Sequence, residues 1–376
     1  MASLLPDLDP EGLLEYSVVF TDRSVNHMSQ RFQRAVNDIH DWLVDAYAAE
    51  AAVLVPGGGS VAMESVARQL MSGKRCLVIR NGFFSFRWSQ IFEMGAIPAS
   101  ETVLRARQLG NERTSPFTPP PIADVLDQIA RERPDIVVAP HVETSAGMLL
   151  PDDYLEAVAS AVHAVGGLFV LDCVASGAAW VDMRARGVDV LISAPQKGWT
   201  STPCAGLVML SEAGLAAVEA SSSSSFALDL KKWLTIMRAY TGGGHAYHAT
   251  LPTDGLITLR DAMHEARAVG LDVLRDRQFA LGRGVRDVLA SRGIASVAAP
   301  GFEAPGVVVC FTEHPDWHNG SAFARAGVQI AAGVPLQVGE RPDYLSFRIG
   351  LFGLDKLVDV DGVVDRFAAA LDRVAA

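Results

Sequence analysis

Residues 167–210 read GLFVLDCVASGAAWVDMRARGVDVLISAPQKGWTSTPCAGLVML, and this stretch decides the fold class. Its segments 167–172, 189–194 and 205–210 are short, apolar and rich in Val, Leu and Ile, which is typical of buried strands. Asp172 ends the first of these segments, and Lys197 follows the second in a loop that contains Gly and Pro. The residues between them leave room for one helix and one strand. We therefore expect Asp172 and Lys197 at the ends of neighbouring strands.

The same alternation of strands and helices extends toward the N-terminus. Segments 76–80 and 135–140 have the composition of buried strands, whereas 62–71 and 152–165 have apolar residues at helical spacing. Strands interleaved with helices predict an α/β fold with a doubly wound, mainly parallel sheet that is covered on both faces. Ligands of such sheets bind at the carboxyl ends of the strands. The reactive residues should therefore follow the strands directly.

The C-terminal part has a different organisation. A Gly-rich stretch at 242–244 precedes one long helical pattern over about 255–289, and two more strands are expected at 307–311 and 345–350. This pattern predicts a smaller C-terminal αβ domain that is joined to the first domain through a long helix. The predicted division is an N-terminal arm at 1–20, a large domain at 21–268 and a small domain at 269–376.

Composition narrows the class of protein. The chain has 376 residues, is 49% hydrophobic and carries a formal net charge of −11, which argues against a nucleic-acid or anionic-membrane partner. Segment 1–16 is acidic and lacks the basic region of a secretory signal, and no apolar run reaches the roughly 18 residues that span a bilayer. Four scattered cysteines form no CxxC pair. We expect a cytoplasmic protein.

The stretch GGGSVAMESVARQL (57–70) is the first candidate for ligand binding. A Gly-rich turn that opens a helix exposes backbone N–H groups where the helix dipole favours an anion. Gly58, Gly59 and Ser60 are placed to bind a phosphate, although neither a nucleotide P-loop nor a dinucleotide fingerprint is present. A simple strand-to-helix turn explains the stretch equally well.

Asp172 and Lys197 are the second and third candidates. A carboxylate that ends an apolar strand needs a cationic partner, and the protonated nitrogen of a bound pyridine is one. The structural alternatives are a helix N-cap and an ion pair. A lysine in a confined loop can have a lowered pKa and react as a neutral amine that forms an imine. Each residue alone is more simply structural. The ordered combination of anion-binding turn, buried Asp and loop Lys favours a reactive site.

These residues lie in motifs that resemble the class V aminotransferases of the pyridoxal 5'-phosphate (PLP) fold type I, near the alanine–glyoxylate and serine–glyoxylate aminotransferases. The resemblance extends over about residues 50–353, and it implies a seven-stranded sheet in the large domain. The matching motifs are GGGSVAMES (57–65), RNGFFSFRW (80–88), HVETSAGML (141–149), LDCVASGA (171–178), SAPQKGW (193–199), YHATLPT (247–253) and FRIGLFG (347–353).

The resemblance also implies which residues bind the cofactor PLP. They are Gly58, Gly59, Ser60, Phe84, Thr144, Asp172, Val174, Gln196, Lys197, Tyr247 and Thr250. Gly58, Gly59 and Ser60 would hold the phosphate with help from Gln196. Tyr247 and Thr250 resemble residues that reach the phosphate of the neighbouring subunit, which implies a homodimer with shared active sites.

The cofactor ring and the substrate have further implied partners. Phe84 would stack on one face of the pyridine ring and Val174 would pack on the other, while Thr144 would hydrogen-bond the phenolic oxygen or the imine region. The implied catalytic residues are Lys197, which carries the Schiff base, and Asp172, which pairs with the pyridine nitrogen.

Arg348 matches the arginine that binds the substrate α-carboxylate, for which a planar bidentate donor is suited. The N-terminal Gly-Pro-Gly-Pro motif of the family is replaced by SVVFTDRSVNHMSQRF (17–32), so Asn26 and His27 are expected to line the substrate pocket. The paired histidines that often follow the family's tyrosine become His248 and Ala249. These departures leave the substrate open.

The activity that the resemblance implies is transfer of an amino group from a small amino acid to a 2-oxo acid such as glyoxylate or pyruvate. The transfer would proceed through an aldimine on Lys197 and pyridoxamine phosphate. A phosphonate-directed transaminase, a lyase and a desulfurase are alternatives within class V, although Cys310 lies inside a predicted strand, which disfavours sulfur transfer. A regulatory protein that merely binds PLP is disfavoured because Lys197, Asp172 and Arg348 are all present.

Two further features carry no predicted chemistry. His245 and His248 form an HxxH pair without a third ligand nearby, so we predict no metal site. The five serines at 221–225 are expected to form a flexible loop.

Overall fold

The computed structural model describes residues 8–19 and 21–375. Residues 1–7 and 20 of the predicted N-terminal arm, and residue 376 of the predicted small domain, lie outside the described residues. The helices are α1 (Gln30–Tyr47), α2 (Gly59–Leu70), α3 (Phe83–Gly95), α4 (Ile122–Glu132), α5 (Asp152–Ala164), α6 (Met183–Arg186), α7 (Glu212–Ala220), α8 (Leu230–Thr241), α9 (Thr253–Val269), α10 (Leu271–Ala290), α11 (Pro315–His318), α12 (Ser321–Arg325), α13 (Leu354–Leu357) and α14 (Val360–Ala375). The strands are β1 (Ala51–Pro56), β2 (Arg75–Arg80), β3 (Ser100–Arg105), β4 (Arg107–Gln108), β5 (Phe117–Thr118), β6 (Ile136–Pro140), β7 (Val142–Glu143), β8 (Met148–Leu149), β9 (Leu168–Asp172), β10 (Val190–Ser193), β11 (Ala205–Leu210), β12 (Val307–Phe311), β13 (Ala331–Ala332) and β14 (Ser346–Gly350).

A seven-stranded sheet forms the centre of the molecule, with the strand order β1-β11-β10-β9-β6-β2-β3. Neighbours from β10 through β3 pair in parallel, whereas β11 is antiparallel to both β1 and β10. All residues of β6, β10 and β11 are buried, so both faces of these strands are covered. The predicted mainly parallel seven-stranded sheet is therefore confirmed.

The parallel strands bring the predicted reactive residues to one edge of the sheet. In the parallel register, Asp172 of β9 lies opposite Pro140 of β6 and Ile192 of β10. Backbone bonds continue past the strand ends, because His141 N donates to Asp172 O at 2.9 Å and Cys173 N donates to Ile192 O at 2.8 Å. The loops after β6, β9 and β10 therefore leave the sheet side by side, as the sequence predicts.

The C-terminal region contains a second, three-stranded antiparallel sheet with the order β12-β14-β13. A separate hydrophobic cluster of buried residues includes Leu274 and Leu281 of α10 and Phe347 of β14. The expected single long helix is wrong, because α9 and α10 are separated at Gly270. The φ of Gly270 is +100°, a left-handed conformation that glycine adopts without the steric cost that other residues meet. The boundary at residue 268 stays a prediction.

Asp189 is a buried carboxylate that ties the amino ends of two neighbouring strands together. It precedes β10, and its Oδ2 accepts a hydrogen bond from the backbone N of Phe169 in β9 at 2.8 Å. The same Oδ2 lies 2.9 Å from His163 Nε2, and Oδ1 accepts from Ser211 Oγ at 3.3 Å. The side chain thus satisfies a buried backbone donor of the central sheet.

Replacement of this carboxylate tests its contribution to stability. The Asp189→Ala variant leaves the buried Phe169 N–H without an acceptor, so the free energy of unfolding should fall by about 1–3 kcal/mol. Urea unfolding of the purified protein, followed by circular dichroism, measures this change. Glu93→Ala is the matched control because Glu93 is exposed on α3, and it should shift stability by less than about 0.5 kcal/mol. Equal stability of the two variants would contradict the assignment.

Candidate active site

A cavity of about 430 Å³ opens at the carboxyl edge of the central sheet. Nine of the predicted site residues line it: Gly59, Ser60, Phe84, Thr144, Asp172, Val174, Gln196, Lys197 and Arg348. Residues from both sheets contribute, because Val307 of β12 and Ala331 of β13 also line the cavity. The structure thus brings together residues that lie far apart in sequence.

The amino end of α2 forms one part of the cavity wall. The N-cap is Gly58, and the first turn closes when Val61 N and Ala62 N donate to Gly58 O. The N–H groups of Gly59 and Ser60 have no acceptor among the described residues, as is usual for the first turn of a helix. A Cβ at Gly59 would lie 2.6 Å from Cγ2 of Val174, so only glycine permits this approach. The turn can therefore bind an anion beside Val174.

Asp172 is a buried carboxylate with no ion pair among the described residues. Its Oδ1 accepts one hydrogen bond, from Val174 N at 3.0 Å. Burial raises the pKa of Asp172 to about 6, and the Val174 N–H and the more distant Arg87 oppose that rise only in part. A structural ion pair, one of the structural alternatives for this residue, is thus not found in the described part of the chain. A cationic ligand would lower the pKa of the carboxyl again.

Lys197 follows β10 and is held in a tight turn in which Thr200 N donates to Lys197 O at 3.2 Å. Its Nζ lies 4.8 Å from the ring centroid of Phe352, and no hydrogen bond or ion pair of Nζ is found among the described residues. Burial lowers the pKa of the Lys197 amine, and the positive charge of Arg348 lowers it further. These surroundings favour the neutral, nucleophilic form.

Arg348 lies on β14, the central strand of the small sheet. Its Nε donates to Ala332 O at 2.7 Å, which fixes the side chain while the terminal nitrogens remain available. Its Cζ lies 5.4 Å from the ring centroid of Phe84. Burial lowers the pKa of this guanidinium, yet arginine stays charged at all ordinary pH values. Arg348 therefore offers the cavity a fixed positive group for a carboxylate or another anion.

Glu143 organises the wall that carries Phe84, and the sequence interpretation missed it. The side chain is fully buried, and its Oε1 accepts from Phe84 N at 3.2 Å and from Ser145 Oγ at 2.7 Å. Its Oε2 accepts from Ser85 N at 2.9 Å and from Ser85 Oγ at 2.6 Å. The carboxylate thus satisfies first-turn donors of α3, where the helix dipole favours negative charge. The position of Glu143 shortly after the buried strand β6, within the motif HVETSAGML (141–149), was the available sequence signal.

Several predicted residues lie outside this cavity. Tyr247 is 57% exposed, with its Oη 3.3 Å from Thr250 Oγ1, and its ring centroid lies 5.7 Å from that of His27. Asn26 is buried, where its Nδ2 donates to Glu15 Oε2 at 2.7 Å. His27, Tyr247 and Thr250 therefore form a surface group. Their predicted contacts with cofactor or substrate stay predictions.

The cavity also contains side chains that the sequence interpretation did not name. Arg87, Met63 and Phe352 are among its lining residues. Arg87 Nη1 donates to Ser60 Oγ at 2.9 Å, and its Cζ lies 4.7 Å from the ring centroid of Phe84. Its position in the motif RNGFFSFRW, one helical turn after Phe84, was the available signal.

The alternatives to this site gain no support from the described residues. Cys310 is buried in β12, where burial raises the pKa of its thiol to about 12, so it is not a reactive thiolate. Within residues 8–19 and 21–375, no three His, Cys, Asp or Glu side chains are grouped to hold a metal ion. The same part of the chain has no helix that is long and apolar enough to cross a membrane.

Comparisons with known proteins show which proteins the whole chain resembles. No family model matches the chain. The chain is 29% identical over 332 residues to 2-aminoethylphosphonate–pyruvate transaminase 2 of Paraburkholderia xenovorans, covering 86% of this chain and 83% of that protein. It is 26% identical over 358 residues to the alanine–glyoxylate aminotransferase of Oryctolagus cuniculus, covering 92% and 86% of the two chains.

A solved structure supports the fold. The alanine–glyoxylate aminotransferase of Nostoc sp. superposes with a TM-score of 0.77 at 22% identity, covering 94% of this chain and 89% of that one. The expected resemblance to class V aminotransferases and the expected fold type I are confirmed.

The positive charge of Arg348 should have a measurable effect on the pKa of the Lys197 amine. Removal of this charge in Arg348→Met takes away one of the two causes that lower the pKa of the Lys197 amine, so that pKa should rise. Competitive acylation of the apoprotein at a series of pH values, with mass spectrometry of the Lys197 peptide, gives the pKa. Arg366→Met on α14 is the control, because Arg366 is exposed and pairs with Asp359. An unchanged Lys197 profile in Arg348→Met would refute the coupling.

Proposed function

We propose that this chain is a PLP-dependent aminotransferase that moves an amino group from a small amino acid to a 2-oxo acid such as pyruvate or glyoxylate. The observation that carries the proposal is one cavity in which a buried, unpaired Asp172 and an amine of lowered pKa, Lys197, follow neighbouring strands. The named relatives support it, since both curated proteins are transaminases whose names include pyruvate or glyoxylate.

The residues of the cavity fit PLP by their chemistry. The N–H groups of Gly59 and Ser60 are suited to its phosphate, and the unpaired carboxylate of Asp172 is suited to its ring nitrogen. Gln196 adds a buried Oε1 that lacks a hydrogen-bond partner among the described residues. When bound, PLP supplies a carbonyl that reacts with amines and a ring that accepts electrons.

Three polar side chains have defined tasks in this proposal. The buried Asp172 carboxylate has no cationic partner among the described residues. It would therefore stabilise a positive charge on the ring nitrogen of the cofactor. The Lys197 amine attaches the cofactor and then moves a proton at its Nζ, for which a neutral form is required. Arg348 binds the carboxylate of the amino acid and orients it. Phe84, Val174 and Phe352 limit the access of water to these groups.

We also propose a homodimer with shared active sites. The support is a set of large hydrophobic side chains that are mostly exposed in the single chain: Leu13, Leu14, Tyr16, Val18 and Phe226. Burial of such side chains at an interface between subunits would remove them from water. Tyr247 and Thr250 would then contact the phosphate in the neighbouring subunit.

The proposal includes a cytoplasmic location. All four cysteines are buried free thiols, and a reducing compartment maintains cysteines in this form.

A phosphonate-directed transaminase is the second candidate. The relative with 29% identity is named for 2-aminoethylphosphonate and pyruvate. Three basic side chains, Arg87, Lys197 and Arg348, line the cavity together with a single carboxylate, Asp172, so a dianionic substrate group is electrostatically acceptable. A screen of the amino donors alanine, serine and 2-aminoethylphosphonate separates the two candidates. The readout is loss of the cofactor's visible absorbance, and the donor that causes it identifies the substrate class.

Reduction with borohydride tests the attachment of the cofactor to Lys197. The protein loaded with PLP, then reduced and digested, should carry the added mass on the peptide that contains Lys197. Lys197→Arg should retain no covalent cofactor and should lose the visible absorbance, because a guanidinium does not form the imine. Lys232→Arg, at an exposed helix position, should behave as the unchanged protein. Cofactor mass on a different lysine would overturn the assignment.

Mixing of inactive variants tests the shared site. Lys197→Ala combined with a Tyr247→Ala, Thr250→Ala double variant should regain about a quarter of the original activity after subunit exchange at limiting PLP, because half of the dimers then have one intact site. The matched control combines Lys197→Ala with Asp172→Ala, two residues from the same subunit, and should regain none. Equal results from the two mixtures would refute a site shared in this way.

A further inference from the structure

Arg87 is the one basic side chain lining the cavity to which the proposed function gives no task. Its Nη1 donates to Ser60 Oγ at 2.9 Å, and its Cζ lies 4.7 Å from the ring centroid of Phe84. The side chain is half-buried, and among the described residues it forms no ion pair with a carboxylate. The contact with Ser60 uses only one of the five N–H donors of the guanidinium.

A guanidinium that lines a cavity and has no paired carboxylate can bind an anion through its free N–H groups. Among the lining residues, Asp172 is the only acidic one. The two groups attract each other, but burial outweighs that attraction at Asp172, and no hydrogen bond joins them. The remaining N–H groups of Arg87 are therefore suited to a bound anion.

The contact with Ser60 indicates where that anion lies. Ser60 is the second residue of α2, where the backbone N–H groups of Gly59 and Ser60 also lack acceptors among the described residues. A helix amino end favours negative charge through its dipole, and a guanidinium adds a full positive charge at the same hydroxyl. Arg348, in contrast, is anchored on β14 through Ala332 O.

We propose that Arg87 binds the 5'-phosphate of the cofactor together with the amino end of α2, and thereby makes the site selective for phosphorylated pyridoxal. This inference rests on the proposed function, because it assumes PLP in the cavity. The group that Arg87 would bind is a phosphoryl or phosphonate dianion. Its two possible sources are the cofactor and the distal group of a substrate, and the Ser60 contact favours the cofactor.

The test compares the affinity of the apoenzyme for PLP and for pyridoxal, which lacks the phosphate. Tryptophan fluorescence reports equilibrium binding independently of activity. In Arg87→Met the affinity for PLP should fall about 10- to 100-fold, as expected for loss of a charge-assisted hydrogen bond, whereas pyridoxal affinity should change less than about twofold. Arg87→Lys should restore part of the PLP affinity, since it keeps the charge without the planar fork. Arg366→Met is the control and should leave both affinities unchanged.

Three results would overturn the inference. Equal losses of PLP and pyridoxal affinity would mean that Arg87 only supports the structure. If Arg87→Met folds poorly, the same measurement is made with Arg87→Gln, which can still hydrogen-bond Ser60. Unchanged affinity for both ligands would exclude a phosphate contact. Unchanged PLP affinity with a raised KM for 2-aminoethylphosphonate, but not for alanine, would assign Arg87 to the substrate.

Two results would contradict the proposed function itself. The first is that the unaltered apoenzyme binds neither PLP nor pyridoxal, and the second is that borohydride fails to trap cofactor on Lys197. If the unaltered protein binds PLP through Lys197 while the Arg87 variants bind it equally well, only the role of Arg87 is refuted.

Discussion

The burial of the Asp172 carboxylate at the end of β9 is the constraint on which the site depends. Burial raises the pKa of Asp172 to about 6, so at neutral pH the charged form is held at an energetic cost. The parallel register keeps the residue at the sheet edge, because β6 and β10 fix β9 on both sides. The core thus stabilises a group that is poorly matched to its own surroundings, as is typical of functional sites.

The walls of the cavity are rigid for identifiable reasons. Glu143 accepts hydrogen bonds from the first turn of α3 and so fixes the backbone that carries Phe84. On the other side, the absence of a Cβ at Gly59 lets α2 approach Val174 closely. Neither Glu143 nor Gly59 needs to take part in a reaction. Both hold in fixed positions the groups that face the cavity, so these groups need little rearrangement when a ligand binds.

Much of this arrangement follows from local sequence patterns. Apolar runs that end in polar residues predicted β9 and β10 within a residue or two, and with them the closeness of Asp172 and Lys197. Contacts across long sequence separations were not predictable in this way. The bond between Arg87 and Ser60 depends on how α2 and α3 pack, and the Glu143 network joins residues about 58 positions apart. The break between α9 and α10 depends on one backbone torsion at Gly270, which a helical pattern does not reveal.

Charge is distributed unevenly between the molecule and its cavity. The chain carries a formal net charge of −11, whereas Arg87, Lys197 and Arg348 face only one lining carboxylate. A concave site with low-dielectric walls focuses the field of its own charges, so the cavity attracts anions that the outer surface repels. Burial and the positive charge of Arg348 both lower the pKa of the Lys197 amine. The excess of basic groups that favours anionic ligands therefore also contributes to the lowered pKa of the Lys197 amine.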